Sequence, residues 1–314
     1  MSRGGWRIVF FGTPSFAVPA LKGLVEGPDE VIAVVTQPDR EKGRGRKIFS
    51  SPVKEVVLQQ GFPLLQPEKV KEKTFQGRLK ELVPDLFVVV AYGQILPKSI
   101  LEIPKHGSVN VHASLLPQYR GAAPIPWAIL MGEKMTGVTT MMMDEGMDTG
   151  AILLQKAITI GEDETSETIH ERLASLGGQL LLETVKKMKA GDLSPVPQDP
   201  SKASYAPPLK KEDGKIDWSK EAREIDRQVR AFTPWPGAFT LWEERLLKIC
   251  KGKIREGMSK GKPGVVVWTG ADFIEVDTGK GLFLITELQV EGKRRMGVRD
   301  FLSGHSIPTG TVFQ

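Results

Sequence analysis

The stretch "LFVVVAY" at residues 86–92 decides the fold class, because its seven successive residues are all apolar or aromatic. A strand with one face in water alternates apolar and polar residues, whereas a strand covered on both faces is a continuous, β-branched apolar run. We therefore expect residues 86–92 to form a central strand of a parallel sheet with helices on both faces.

The segments on either side of this strand alternate between strand-like and helix-like patterns. "RIVFFG" (7–12) and "VIAVVTQ" (31–37) read as buried strands, and a helix follows the first of them. Ser51 and Pro52 predict the start of another helix, because serine suits the N-cap and proline the first helical position. Further strands are predicted at 64–65, 107–114, 138–144 and 152–160, and an amphipathic helix at 165–190. This alternation predicts a Rossmann-like α/β domain with a mostly parallel sheet.

The last third of the chain has a different character. Residues 191–210, "GDLSPVPQDPSKASYAPPLK", contain five prolines and are interpreted as a linker. One helix is predicted at 221–232, followed by five short strands separated by glycine turns, as in a small barrel or sandwich. The sequence thus predicts a first domain at 1–190, a linker at 191–210 and a second domain at 211–314.

Length and composition agree with this division. A chain of 314 residues exceeds what one core usually holds. The net charge of +5 favours an anionic partner. The single cysteine, Cys250, excludes an internal disulfide and a cysteine-built metal site, which is typical of a reducing cytoplasm. No segment approaches the ~18 apolar residues of a membrane span, and the N-terminal stretch lacks a signal-peptide pattern. We expect a cytoplasmic protein without a membrane segment.

The turn after the first strand lacks a dinucleotide fingerprint. A sheet that binds NAD opens with G-x-G-x-x-G at this position, and here the chain reads Gly12-Thr13-Pro14-Ser15. A P-loop is also absent from the sequence. NAD binding is therefore disfavoured.

Two polar residues stand out in "GSVNVHASLLPQYRG" at 107–121. Asn110 and His112 are two residues apart on a predicted strand, so their side chains share a face. They come near the carboxyl end of the strand, where open α/β sheets bind ligands. The spacing alone leaves two interpretations open: a functional pair, or two core residues that are hydrogen-bonded internally.

The segment "MDEGMDTG" at 143–150 carries Asp144, Glu145 and Asp148. A solvated turn between strands and a metal site are both compatible with it, although the segment is too short for an EF-hand loop. A third interpretation is that one acid, Asp148, orients His112 and stabilises its imidazolium. Asn110 would then offer an amide donor to an oxyanion that develops during acyl transfer.

A basic segment lies between the second strand and the helix at Ser51. Five cations fall within eight residues that contain one acid, Glu41, and two glycines; they are Arg40, Lys42, Arg44, Arg46 and Lys47. A solvated flexible loop is one interpretation, and a loop ordered by a polyanion is the other. A second cluster of cations at 248–262, opposed only by Glu256, suits an extended nucleic acid better than a small phosphate.

Several segments, in order, resemble the methionyl-tRNA formyltransferase family. They are "FGTPSFAVPAL", "TQPDREKGRGRK", "VVVAYGQILP", "NVHASLLPQYRGAAPI", "MDEGMDTG", "YAPPLKKEDGKIDW" and "IDRQVRAFTPWPGAF". The resemblance covers nearly the whole chain. N-x-H-x-S-L-L-P is shared by enzymes that use 10-formyltetrahydrofolate, whereas the basic loop and "RAFTPWPGAF" point to the tRNA enzymes.

The resemblance implies a Rossmann-like formyltransferase domain and a C-terminal OB-like barrel that helps to hold tRNA. It implies transfer of a formyl group from 10-formyltetrahydrofolate to the α-amine of methionyl initiator tRNA. The transfer needs no metal, and we expect a monomer. The family's catalytic residues fall on Asn110, His112 and Asp148. Its folate contacts fall on Ser114, Leu115, Leu116 and Pro117, and its acceptor-arm loop falls on Arg40, Lys42, Arg44, Arg46 and Lys47. Two alternatives remain: a folate-dependent formyltransferase or hydrolase for a small amine such as a sugar nucleotide, and a non-catalytic RNA-binding protein.

Overall fold

The computed structural model describes residues 5–42, 47–257 and 261–314. The helices are α1 (Val18–Glu26), α2 (Pro52–Gln60), α3 (Lys73–Glu81), α4 (Lys98–Leu101), α5 (Pro124–Met131), α6 (Ser166–Ala190), α7 (Ala222–Ala231) and α8 (Val298–Leu302). The strands are β1 (Arg7–Gly12), β2 (Glu30–Val35), β3 (Arg40–Lys42), β4 (Lys47–Phe49), β5 (Leu64–Leu65), β6 (Leu86–Val90), β7 (Ser108–His112), β8 (Arg120–Gly121), β9 (Met135–Met142), β10 (Ile152–Thr159), β11 (Tyr205–Ala206), β12 (Ala238–Trp242), β13 (Arg245–Arg255), β14 (Val266–Thr269), β15 (Ile274–Asp277), β16 (Leu282–Val290) and β17 (Met296–Gly297).

The chain forms two compact units. The first comprises Met1–Pro124, Met135–Thr159 and His170–Ala206, and the second comprises Ile125–Lys134, Ile160–Ile169 and Pro207–Gln314. The division at 190 and 210 expected from the sequence stays a prediction. None of the helices within the described ranges is both long and apolar enough to cross a membrane.

The first unit is built on a seven-stranded sheet with the order β10-β9-β7-β6-β1-β2-β5. Five neighbouring strands, β7, β6, β1, β2 and β5, are parallel to one another. Strand β9 runs antiparallel to β7, and β10 runs antiparallel to β9. All five residues of β6 are buried, and β6 lies between β1 and β7. The continuous apolar run at 86–90 therefore forms a central strand because both of its faces are covered.

Helix α2 shows how local sequence sets an element boundary. The hydroxyl of Ser51 accepts a hydrogen bond from the Lys54 amide at 3.1 Å, and Pro52 takes the first helical position. The helix ends at Gly61, whose φ of 75° is readily adopted only without a side chain. Both ends follow the capping preferences of helices.

Residues 40–42 and 47–49 form an antiparallel pair of short strands, which the sequence did not predict. In this pair β3 faces β4, with Arg40 opposite Phe49. The glycines and the charged residues of the segment are depleted in strands, which is why the pattern suggested a loop.

The proline-rich segment at 191–210 carries strand pairings. Val196 and Ile152 exchange two backbone hydrogen bonds of 2.8 Å, and β11 pairs in parallel with β8. Prolines lack an amide hydrogen, but the residues between them supply the donors and acceptors for these contacts.

The second unit contains an antiparallel sheet with the order β12-β13-β16-β15-β14, and β17 pairs with β16. Its core includes Trp218 and Phe283, together with Ile225 and Val229 of the amphipathic helix α7. The predicted fold class, a mostly parallel α/β domain followed by a small OB-like β domain, is confirmed.

Candidate active site

Strand β7 places two polar side chains on one face of the sheet. Asn110 and His112 are two residues apart in β7, which lies between β6 and β9. His112 is buried, with 6% of its surface exposed, whereas Asn110 is half-buried. Within the described ranges the side-chain amide of Asn110 has no hydrogen-bond partner, so it is available to a ligand.

The two edges of the His112 ring have different environments. Its Nε2 lies 2.9 Å from the carbonyl oxygen of Tyr119. Since a carbonyl oxygen only accepts, Nε2 carries the hydrogen of this bond. Its Nδ1 faces Asp148 Oδ2 at 3.6 Å, which is beyond hydrogen-bond length but within ion-pair range. The protein thus anchors one edge of the ring and places a carboxylate at the other.

Asp148 is the acid of the 143–150 segment that meets His112. Its Oδ2 also accepts a 2.8 Å hydrogen bond from the Gly121 amide. Asp144 instead holds the turn itself, through bonds from the Gly146 amide and the Thr149 hydroxyl. Glu145 lies in solvent and pairs with Lys98 at 3.3 Å. No group of three or more metal-ligating residues occurs in the part of the chain that the structure describes.

The loop that carries Asp148 is tightly folded. Asp148 itself has φ of 53°, in the left-handed region that non-glycine residues seldom adopt. A Cβ atom at Gly150 would lie 1.7 Å from the Met142 carbonyl oxygen, so only glycine fits there. The loop therefore depends on a strained aspartate and on a glycine in close backbone contact.

The turn after β7 carries the residues that the family resemblance assigns to folate. The Ser114 hydroxyl donates to the Gln118 carbonyl at 2.6 Å, and the Leu116 amide donates to Thr139 Oγ1 at 3.1 Å. The Thr139 hydroxyl in turn donates to the Ser114 carbonyl at 2.7 Å. Gln155 holds the Leu116 carbonyl at 2.8 Å. These bonds fix the backbone of the turn.

The side chains of this turn face different surroundings. Leu115 is half-buried against β9, since a Cβ atom at Gly137 would lie 2.5 Å from its Cδ2. Leu116 is buried and Pro117 is half-buried. The half-buried Leu115 and Pro117 leave apolar surface at the end of β7.

Sequence reasoning missed the residues that hold this site in place. Tyr119 contributes only a backbone carbonyl to His112, which leaves no side-chain signature. Arg120 and Gln198 form a buried pair, and Gln198 lies in the segment interpreted as a linker. The nearest sequence signal was the arginine of "QYRG", which directly follows the conspicuous "NVHASLLP".

Polar side chains also collect where β1, β2 and β6 end. The Thr13 hydroxyl and the Gln37 amide donate to the Tyr92 carbonyl at 2.9 and 3.2 Å, and Gln94 reaches Gln37 at 3.4 Å. The turn at Thr13 thus binds neighbouring strand ends and lacks the glycines of a pyrophosphate cradle. Burial raises the pKa of the Tyr92 hydroxyl above its ordinary range.

The base of the basic segment is held by an ion pair. Asp39 lies 2.5 Å from Lys54 Nζ and accepts a 3.1 Å bond from Gln66. These hydrogen bonds, that of Lys54 first, hold the pKa of Asp39 below its ordinary value. The pair fixes the point at which β3 begins.

The structure places the predicted tRNA contacts only in part. Arg40 is exposed at the start of β3. Lys42 is the last residue of β3, and Lys47 is the first residue of β4. Arg44 and Arg46 lie outside the described residues, so their predicted role is not tested.

Both parts of the chain match families of known proteins. Residues 6–185 match the family described as formyl transferase, and residues 208–306 match the formyl transferase C-terminal domain. The chain belongs to the formyltransferase family. The family membership expected from the sequence motifs is therefore confirmed.

Similar proteins show how closely this formyltransferase follows its relatives. It is 51% identical to the methionyl-tRNA formyltransferase of Citrifermentans bemidjiense, over 98% of this chain and 96% of that protein. It is also 51% identical to the methionyl-tRNA formyltransferase of Caldanaerobacter subterraneus subsp. tengcongensis, over 98% of this chain and all of that protein.

Among solved structures, the formyltransferase resembles WlaRD, a sugar 3N-formyl transferase crystallised in the presence of dTDP and 5-N-formyl-THF. The TM-score is 0.67 at 21% identity, and the match covers 92% of this chain and 99% of that chain. At this identity the likeness shows a shared fold alone.

Proposed function

We propose that this enzyme transfers a formyl group from 10-formyltetrahydrofolate to the α-amino group of methionyl initiator tRNA. One observation carries the proposal: β7 presents Asn110 beside a His112 ring that is anchored on one edge and faces Asp148 on the other. Full-length relatives at 51% identity that are methionyl-tRNA formyltransferases support this choice of substrates.

Asn110 is assigned the role of oxyanion donor. When an amine attacks a formyl carbon, the formyl oxygen gains negative charge, and a preoriented amide N–H stabilises that charge. The side chain of Asn110 is half-buried and lacks a partner in the described ranges, so its hydrogens are free for this bond.

His112 and Asp148 are assigned the movement of the proton. The amine attacks in its neutral form, its nitrogen loses a proton as the new C–N bond forms, and the departing N10 gains one as the old bond breaks. His112 Nε2 is engaged by Tyr119, so the Nδ1 edge exchanges the proton. The Asp148 carboxylate at 3.6 Å stabilises the imidazolium while it holds that proton.

The turn at Ser114–Pro117 is assigned to the donor. 10-Formyltetrahydrofolate supplies a formyl carbon bonded to a nitrogen that can leave. The turn fits such a ligand because its backbone is held by Thr139 and Gln155, and because Leu115 and Pro117 leave apolar surface beside β7. Holding the turn in advance lowers the entropy lost on binding.

The basic groups are assigned to the tRNA. In the second unit, Lys251 and Lys253 are exposed along β13, and in the first unit Arg40 is exposed on β3. We propose that residues 1–190 carry out the transfer, that 191–210 connect the domains, and that 211–314 help to bind the tRNA. We further propose a cytoplasmic monomer, acting where translation starts.

A formylation assay tests the reaction. Purified enzyme and 10-formyltetrahydrofolate should formylate methionyl initiator tRNA and should leave an amino sugar nucleotide unmodified; the reverse preference would support the small-amine alternative. An enzyme that binds tRNA but neither binds folate nor formylates either amine would be an RNA-binding protein. Asn110→Ala should lower kcat by roughly 10²–10³ while tRNA binding persists, as when one oxyanion donor is lost.

The salt dependence of binding tests the basic segment. Replacing Arg44 and Arg46 with alanine should weaken tRNA binding and reduce the slope of log affinity against log salt by about two units, one per phosphate contact. A matched control replaces Arg78 and Lys80, two exposed cations near the end of α3. Equal slopes for the two double variants would show that Arg44 and Arg46 make no phosphate contacts.

A further inference from the structure

A buried polar pair beside the candidate active site has no part in the steps above. The Arg120 guanidinium, 4% exposed, donates two hydrogen bonds to Gln198 Oε1, from Nε at 3.1 Å and from Nη2 at 2.7 Å. Gln198 is itself 9% exposed. Burying two polar side chains costs free energy unless their hydrogen bonds are satisfied. The other hydrogen bonds of Gln198 therefore indicate which part of the protein the pair stabilises.

The other end of Gln198 holds the Asp148 loop. Its Nε2 donates to the carbonyl oxygen of Asp148 at 2.8 Å and to that of Gly150 at 2.8 Å. One amide group therefore binds the backbone on both sides of Thr149.

These contacts close a ring around Asp148. Arg120 is followed in the chain by Gly121, whose amide donates to Asp148 Oδ2 at 2.8 Å. The ring thus runs from the Asp148 carboxylate through Gly121 and Arg120 to Gln198, and returns to the Asp148 carbonyl. The carboxylate and the backbone of the same residue are held by one connected set of bonds.

We propose that Gln198 is a positioning residue that keeps the Asp148 carboxylate facing His112; this rests on the proposed function of that pair. Asp148 has φ of 53°, a conformation that is unfavourable for a non-glycine residue and persists only when the surroundings impose it. Without the Gln198 amide, the backbone can relax and swing the carboxylate away from Nδ1.

The segment that carries Gln198 also holds the Nε2 edge of the His112 imidazole in place. The Tyr119 amide donates to the Ser204 hydroxyl at 2.9 Å, and the Arg120 amide donates to the Ser204 carbonyl at 2.9 Å. Tyr119 supplies the carbonyl that binds His112 Nε2. Residues 198–204 therefore act on both sides of the imidazole.

The chain offers a matched control in Gln228. It is also 9% exposed, and its Nε2 donates to two backbone carbonyl oxygens, those of Asp213 and Lys215, at 2.9 and 3.0 Å. Gln228 belongs to the second unit, whereas Arg120, Asp148 and Gln198 belong to the first. Replacing either glutamine with methionine removes two side-chain bonds to backbone carbonyls from a similarly buried position, and Gln198→Met also removes the acceptor of the Arg120 guanidinium.

The experiment compares Gln198→Met with Gln228→Met in the full chain. We expect a larger loss of thermal stability in Gln198→Met, because the buried Arg120 guanidinium loses its acceptor. We expect a fall in kcat of about 10- to 100-fold in Gln198→Met alone, because misplaced catalytic groups are costly. KM for 10-formyltetrahydrofolate should change little. Gln198→Glu keeps an acceptor for Arg120 but sets an oxygen against two carbonyls, so it should fold and remain slow.

A spectroscopic readout separates this inference from the proposed reaction. The chain has four histidines, so the ¹⁵N resonance of His112 Nδ1 can be assigned. It should shift in Gln198→Met and stay in place in Gln228→Met. An unmoved resonance, or equal kcat in the two variants, would overturn the inference. A shifted resonance in an enzyme whose wild type formylates no tRNA would leave the positioning role standing and remove the proposed function.

Discussion

Replacing Asp148 with asparagine isolates the charge of the carboxylate from its shape. The asparagine oxygen can still accept the hydrogen bond from the Gly121 amide, which is 2.8 Å long in the wild type. The loop should therefore keep its conformation, and the thermal midpoint should change by only a few degrees. What is lost is the negative charge 3.6 Å from His112 Nδ1.

The cost of losing that charge follows from Coulomb's law. With an effective dielectric constant of about 20, a carboxylate at 3.6 Å stabilises an imidazolium by roughly 4–5 kcal/mol. If His112 carries the proton in the transition state, this stabilisation is absent from the variant. At 1.36 kcal/mol per tenfold change in rate, kcat should fall by roughly 10³.

The assay is single-turnover formylation of methionyl-tRNA at saturating 10-formyltetrahydrofolate, which reports the chemical step. Glu145→Gln is the matched control, because Glu145 lies in the same loop, is exposed and pairs with Lys98. It should react at close to the wild-type rate. If Asp148→Asn stays within about tenfold of wild type, His112 does not become an imidazolium during the reaction, and the roles assigned to both residues are wrong.

Three further predictions concern other parts of the chain. Gly150→Ala should lower the free energy of unfolding by about 1–3 kcal/mol, and with it the calorimetric midpoint, because the new Cβ atom would lie 1.7 Å from the Met142 carbonyl oxygen; an unchanged midpoint would show that the loop adapts. Asp39 has a pKa lowered by its hydrogen bonds from Lys54 and Gln66, so its stabilising contribution is present above its ordinary value near 3.8 and is lost as the pH falls toward the lower folded value. Urea titrations should therefore show a smaller loss of stability on acidification in Asp39→Asn than in wild type. Burial raises the pKa of the Cys250 thiol, so the native protein should react slowly with Ellman's reagent at pH 8 and the unfolded protein quickly; equal rates would contradict this.

The fold class could be predicted because its signals are local. The continuous apolar run at 86–90 indicates a strand that is covered on both faces, and β6 is such a strand. The Ser51-Pro52 cap acts within one turn of α2. The antiparallel direction of β9 and β10 left no such signal, because strand direction is set by connections and pairings along the whole sheet.

The candidate site could be predicted only in its side chains. Asn110, His112 and Asp148 are chemically conspicuous, and the structure brings the last two together at 3.6 Å. Tyr119 contributes a backbone carbonyl, which any residue could supply. Gln198 is 78 residues from Arg120 in the chain, and its neighbouring prolines suggested a linker, so its contacts depend on tertiary structure that the local pattern does not contain.

The antiparallel direction of β9 has a consequence for how this enzyme tolerates change in length. Since Met142 lies opposite Val109, the loop to β10 starts beside the beginning of β7, yet Asp148 reaches His112 three residues further along, about 10 Å away. The length of segment 143–151 therefore sets where the Asp148 carboxylate lies along β7. One residue more or less would offset the carboxylate by up to about 3 Å relative to the imidazole. This short connection should therefore tolerate substitutions at its exposed positions but no insertion, unlike most surface loops.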